Sequence, residues 1–130
     1  MRLVLDTHTL AWAVGNPLRL GQASYVLLSD PKNTLLVSPA CIWEMSIKHH
    51  LGKWPEVAPF LDEELYRSFV SQLGAEELPV RATHARLAGQ FEVEHKDPFD
   101  RMLVAQTLLE GATLVTQDPA FKAFPVPVLW

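Results

Sequence analysis

Apolar residues along this chain fall into two alternating patterns: short unbroken runs, and longer stretches in which they recur every three or four positions. Residues 2–6 (RLVLD) form a run that ends on an acid, which predicts a strand. Behind it, THTLAWAVG places Leu10 and Val14 four apart, as on one helix face. Pro17 and Gly21 interrupt that helix, a second helical segment follows through ASYVLLSD, and Asp30-Pro31-Lys32-Asn33 reads as a turn. TLLVS (34–38) predicts a second strand. Ser38 as N-cap and Pro39 at the first helical position then open a helix that runs to Gly52, a natural residue just past a helix end. KWPEVAP predicts a loop exposing Trp54. PFLDEELYRSFVSQLG predicts a helix with Phe60, Leu61, Leu65, Phe69 and Leu73 along one stripe and Gly74 at its end. EELPV predicts a short third strand, ATHARLAGQ a helix, and residues 98–110 another, with Gly111 behind it. ATLVTQ (112–117) predicts a fourth strand and Asp118-Pro119 a short helical turn. The closing VPVLW suits an edge strand, since Pro127 cannot donate to a ladder.

Strands that alternate with helices imply crossover connections and a parallel central sheet covered on both faces, so the fold class is α/β. The 130 residues suit one domain, 1–130, large enough to bury a core. Apolar residues make up 48% and charged ones 20%, which argues against disorder. The single cysteine, Cys41, excludes an internal disulfide, and the acid at Asp6 interrupts any signal-peptide apolar region. No stretch approaches the ~20 apolar residues of a membrane span. These features predict a soluble, cytoplasmic protein with no membrane association.

The net charge of −4 argues at first against a nucleic-acid partner. The acids themselves change that picture. Ligands of parallel sheets bind beyond the carboxyl ends of the strands. Asp6 and Asp118 follow strands, Asp97 and Asp100 begin a helix, and Glu44 lies on the second turn of the helix after strand two, so all five can reach one edge. If these five hold cations, ten acids remain against eleven Lys and Arg. Each also has a simpler explanation. Asp97 before Pro98, Asp118 before Pro119 and Asp6 can act as helix caps, Asp100 resembles half a capping box, and Glu44 pairs with Lys48 as a surface i,i+4 couple. Taken together, though, carboxylates capping helices at one sheet edge concentrate negative charge that a cation would relieve. An all-oxygen set without Cys or an obligatory His favours Mg²⁺ or Mn²⁺ and metal-assisted hydrolysis of a phosphodiester.

Four segments carry a family resemblance: LVLDTHTLAW, SPACIWEMSIK, HKDPFDRMLVAQT and ATLVTQD. In this order and spacing they resemble the signature blocks of PIN-domain ribonucleases, in particular the VapC-like toxins of toxin–antitoxin pairs. The resemblance spans nearly the whole chain. It implies a compact fold with a parallel sheet, dependence on Mg²⁺ or Mn²⁺, RNA cleavage, and neutralisation by a cognate antitoxin. Carried over by position, the catalytic and metal-binding acids are Asp6, Glu44, Asp100 and Asp118, with Asp97 as a fifth that ligates, orients or only caps.

Around these acids, Thr7 and Thr116 can hydrogen-bond a carboxylate or satisfy backbone. Lys48, Lys96 and Arg101 can meet phosphates or remain solvated. Trp12 and Trp43 are expected in the core. Trp54, with Val57 and Phe60, offers either an antitoxin-binding surface or material for the protein's own core or a homodimer interface. The alternatives to a nuclease are a non-catalytic PIN-like module that binds RNA or protein, and an aspartyl phosphatase. The phosphatase would commonly carry a second Asp two residues after the first, where this chain has His8.

Overall fold

The computed structural model describes residues 1–130. Five parallel strands form one sheet in the order β3-β2-β1-β4-β5: β1 Arg2–Leu5, β2 Thr34–Val37, β3 Ala75–Glu77, β4 Thr113–Val115 and β5 Val128–Leu129. β1 is central, and Leu3, Val4 and Leu5 are fully buried, as a strand covered on both faces requires. Helices α1 (Thr7–Gly15) and α2 (Gln22–Ser29) connect β1 to β2. Helix α3 (Pro39–His50), a 3₁₀ segment (Pro55–Leu61) and α4 (Glu63–Gln72) connect β2 to β3, and α5 (Ala82–Gln90) and α6 (Pro98–Leu109) connect β3 to β4. A 3₁₀ turn at Pro119–Ala123 leads to β5, where Pro127 accepts a hydrogen bond from Leu114 N–H at 2.9 Å.

The α/β class and parallel sheet follow the strand–helix alternation of the sequence. α3 begins on the Ser38 cap, whose side chain accepts from Ala40 N–H at 3.1 Å, and α6 begins on Asp97. Gly52 and Gly111 follow α3 and α6 with φ of 70° and 60°, the left-handed conformation that closes a helix without a Cβ clash.

Two elements differ from expectation. The single helix predicted from Pro59 to Gly74 is divided: a 3₁₀ segment ends at Leu61, and Asp62 caps α4 by accepting from Leu65 N–H at 2.9 Å. Leu65 is therefore exposed, although it was expected on the apolar stripe. β3 also lies earlier than EELPV, because Ala75, Glu76 and Glu77 pair with Leu35, Leu36 and Val37, and only the Leu78 N–H extends the ladder, to Val37 O at 2.7 Å. As an edge strand, β3 buries little and so needs no apolar run.

The strand order places a reversal of winding between β1 and β4, since β2 and β3 lie on one side and β5 on the other. The carboxyl ends of those two strands therefore open the crevice where open α/β sheets bind ligands. α6 packs against both β1 and β4, and α3 packs against α1 and α6. No helix is long and apolar enough to cross a membrane.

Candidate active site

Asp6 immediately follows β1 and caps α1. Its Oδ1 accepts from Thr9 N–H at 2.7 Å, and its Oδ2 accepts from the Thr116 hydroxyl beyond β4. Thr116 Oγ1 in turn accepts from Asp118 N–H at 3.0 Å, so the two strand ends on either side of the reversal are stitched through one hydroxyl. Asp6 is 6% exposed and no cation pairs with it. Burial therefore pushes its carboxyl above the usual range, and the Thr116 and Thr9 bonds only partly oppose the shift.

Glu44 does not fit the simpler reading of a surface couple with Lys48. It is 5% exposed, because α3 packs onto α1 and α6 and turns this face inward. Its Oε1 accepts from the Thr7 hydroxyl at 2.6 Å, and its Oε2 from Lys48 Nζ at 2.5 Å. The i,i+4 couple with Lys48 exists, but its acid is buried. Thr7 and Thr116 thus both bond carboxylates.

At the start of α6, Asp97 is the cap: its Oδ1 accepts from Phe99 N–H at 2.9 Å and Asp100 N–H at 3.2 Å. Asp100, one turn further, faces the other acids, and its Oδ2 meets His95 Nε2 at 2.6 Å. Its pKa rises to about 6, first through burial and then through the charges of Asp97 and Glu44, with His95 opposing. Asp118 caps the 3₁₀ turn through Ala120 N–H at 2.9 Å and remains exposed.

The five acids therefore gather at the carboxyl edge in two linked subsets. Asp6 and Asp118 share Thr116 and the wall of a groove of about 1070 Å³, whose lining also includes His8, Trp12, Arg19 and Trp54. Asp100 feels the charges of Glu44 and Asp97. The adjacent residues Asp6 and Thr7 join the two, and the buried Cys41 thiol, pushed up to about 12 chiefly by burial, feels the charges of both Asp6 and Glu44. No three of the chain's acids, histidines or cysteine are arranged as placed to hold an ion. Each of the more buried acids is instead engaged by its own partner: Thr116 and Thr9 on Asp6, Lys48 and Thr7 on Glu44, His95 on Asp100. The donor chemistry suits a hard divalent cation, being all carboxylate oxygen and including a buried Asp6 with no counter-charge.

Several neighbours have roles the sequence did not show. Arg101 is half-buried and committed to backbone rather than solvated. Its guanidinium donates to the carbonyls of Ala88, Phe91, Val93 and His95 at 2.8, 2.7, 3.3 and 3.1 Å, which pins the acidic segment 91–95 against α5 and α6. His95 reaches Asp100 from that segment, and no periodicity announces such a contact. Trp43, expected in the core, is 60% exposed and lies edge-on to Phe99. Trp54 is half-buried and stacked on His8 at 4.5 Å, while Val57 and Phe60 are buried in the protein's own core. An apolar stretch with 3₁₀ geometry turns side chains both inward and outward, so its composition does not distinguish core from interface.

The sequence model of the PIN domain matches residues 3–127. Among solved structures, the chain is similar to that of VapBC2 from Rickettsia felis bound to a promoter DNA fragment, with 20% identity, a TM-score of 0.68, and coverage of 99% of this chain and 98% of that one. It is also similar to DNA-bound VapBC from Salmonella typhimurium, at 18% identity and a TM-score of 0.69 over 99% and 97% of the two chains. FitAcB from Neisseria gonorrhoeae gives 19% identity and a TM-score of 0.61 over 98% and 96%. At such identities these likenesses speak for the fold. No curated protein matches the sequence.

Proposed function

The chain belongs to the PIN-domain family, and from that premise we propose that it is a metal-dependent endoribonuclease acting as the toxin of a toxin–antitoxin pair in the cytoplasm. Residues 1–130 are taken as one PIN-like nuclease domain. The observation that carries the reading is the pair Asp6 and Asp118 on one groove wall at the ends of β1 and β4, with Asp6 buried and in no salt bridge, and with Glu44 and Asp97 close enough to raise the Asp100 carboxyl. Caps alone would explain Asp97 and Asp118. They do not explain a buried Glu44, or a pKa of about 6 at Asp100.

Asp6, Glu44 and Asp100 are the residues that would hold Mg²⁺ or Mn²⁺, with Asp118 beside Asp6 on the groove wall and Asp97 acting mainly through the position of α6. A bound divalent ion supplies Lewis acidity and an activated water for hydrolysis of a phosphodiester. The chain's own residues set the conditions for that chemistry. Thr116 and Thr9 fix the Asp6 carboxylate, Thr7 fixes Glu44, and the Asp97 cap sets the start of α6 and hence the direction of Asp100. His95 Nε2 holds Asp100 Oδ2 at 2.6 Å. His8, Trp12, Trp54 and Arg19 on the adjoining groove offer aromatic and cationic contacts of the kind that receive single-stranded RNA.

The antitoxin proposal draws on the likeness to VapBC and FitAcB. Of Trp54, Val57 and Phe60, only Trp54 is partly accessible to such a partner, since Val57 and Phe60 are buried. Incubation of purified protein with RNA in Mg²⁺ or Mn²⁺ is expected to give cleavage that stops with EDTA. Equal cleavage in excess EDTA, in a preparation free of other nucleases, would sink the metal mechanism. RNA binding without cleavage would favour a non-catalytic module, and release of inorganic phosphate from small phosphoesters an aspartyl phosphatase. Co-purification with a small neighbouring-gene product tests the antitoxin, and sedimentation tests whether the free protein is a homodimer.

A further inference from the structure

Glu44 is the least exposed of the five acids, yet it already has a cation. Lys48, one turn along α3, places Nζ 2.5 Å from Glu44 Oε2, while Thr7 occupies Oε1 at 2.6 Å. Both oxygens of this carboxylate are therefore committed, and one of them to a positive charge. A buried carboxylate without a partner is costly, and Lys48 supplies a positive charge at hydrogen-bond distance from Glu44. The lysine is not itself enclosed. Its side chain is 38% exposed, and Nζ lies 5.7 Å from the centroid of the Trp54 ring, which is stacked on His8, two residues beyond Asp6. The ammonium thus has a second favourable position within reach, over an aromatic face at the mouth of the groove.

A divalent ion on either oxygen of Glu44 would lie within a few ångströms of Lys48 Nζ, and two cations on one carboxylate repel each other strongly. We propose that Lys48 is the resident counter-ion of the acidic site, which competes with divalent metal for Glu44 and withdraws along the Trp54 face when the metal enters. This rests on the metal-binding reading above. It assigns Lys48 a role separate from phosphate contact: it lowers metal affinity and balances the buried Glu44 carboxylate.

The test is Mn²⁺ binding by the full-length protein, read from the electron paramagnetic resonance signal of free Mn²⁺, in wild type, Lys48→Met and Lys48→Gln. Met keeps the apolar stem without the charge, and Gln keeps a donor for Glu44 without the charge. Lys48→Met is expected to bind Mn²⁺ about tenfold more tightly, the equivalent of about 1.4 kcal/mol, with Lys48→Gln between it and wild type. Its melting temperature without metal is expected to fall, and the rise on adding Mn²⁺ to exceed that of wild type. If Lys48→Met is poorly folded without metal, Lys48→Gln carries the comparison alone. Affinity equal to or weaker than wild type in the folded variants would overturn the role of Lys48 and leave the metal site standing. Absence of Mn²⁺ binding in all three proteins would remove both.

Discussion

Replacing Asp100 by Asn measures what one charge costs in the acidic cluster. In the folded chain the Asp100 carboxyl titrates at about 6 against an ordinary 3.8, because burial and the neighbouring Asp97 and Glu44 charges disfavour its ionised form. An acid with a raised folded-state pKa binds its proton more tightly folded than unfolded. Its contribution to stability is therefore full below the unfolded value and is lost as pH rises through the folded one. The separation of about 2 units corresponds to about 3 kcal/mol, at ~1.36 kcal/mol per unit. With the side chain only 15% exposed, solvent screening removes little of this. Asn is uncharged throughout and still offers a polar partner to His95. In EDTA at about pH 8, Asp100→Asn is therefore expected to be more stable than wild type by about 2–3 kcal/mol, with the gain shrinking through about pH 6 to 4 and disappearing near the unfolded pKa. Urea unfolding followed by circular dichroism across that range reads it directly. Adding Mg²⁺ or Mn²⁺ should narrow the gap, since a cation bound to folded wild type offsets the same charge, and the variant should have lost most RNA cleavage. A variant less stable than wild type at the higher pH, or a gain that does not change with pH, would refute the argument that uncompensated charge is stored at this edge.

Further outcomes follow from single contacts. Asp97→Asn should keep fold and most cleavage because Asn caps about as well as Asp, whereas Asp97→Ala should lose ~1 kcal/mol in urea unfolding; loss of cleavage in a well-folded Asn variant would instead make Asp97 a ligand. Arg101→Met should cost about 2–3 kcal/mol, as bonds from a charged donor to four carbonyls disappear, and limited proteolysis should then cut within residues 91–97; an unchanged digestion pattern would count against the pinning role. Cys41, buried and with its thiol pushed up to about 12, should resist alkylation in the native protein at neutral pH and react only on unfolding, which mass spectrometry after iodoacetamide treatment checks.

The sequence alone determined the order of elements and the placement of the acids along them. Strand–helix alternation dictates a parallel sheet. Because parallel strands all deliver their carboxyl ends to one edge, acids at Asp6, Asp97, Asp100 and Asp118 had to arrive there together. Helix caps at Ser38, Asp97 and Asp118 were legible for the same local reason: a side chain bonding an N–H two or three residues ahead needs no knowledge of the rest of the chain. What the tertiary structure decided is which face of each element turns inward. Glu44 and Lys48 form an i,i+4 pair whether exposed or buried, and only the packing of α3 on α1 and α6 buries the acid. The same packing leaves Trp43 exposed beside Phe99. His95 on Asp100, Trp54 on His8 and the four carbonyls around Arg101 are likewise contacts between segments that meet only after folding. Periodicity specifies that an element has an apolar side, but the partner of a long polar side chain depends on which neighbour the fold brings within reach, a distance in space that local sequence does not contain.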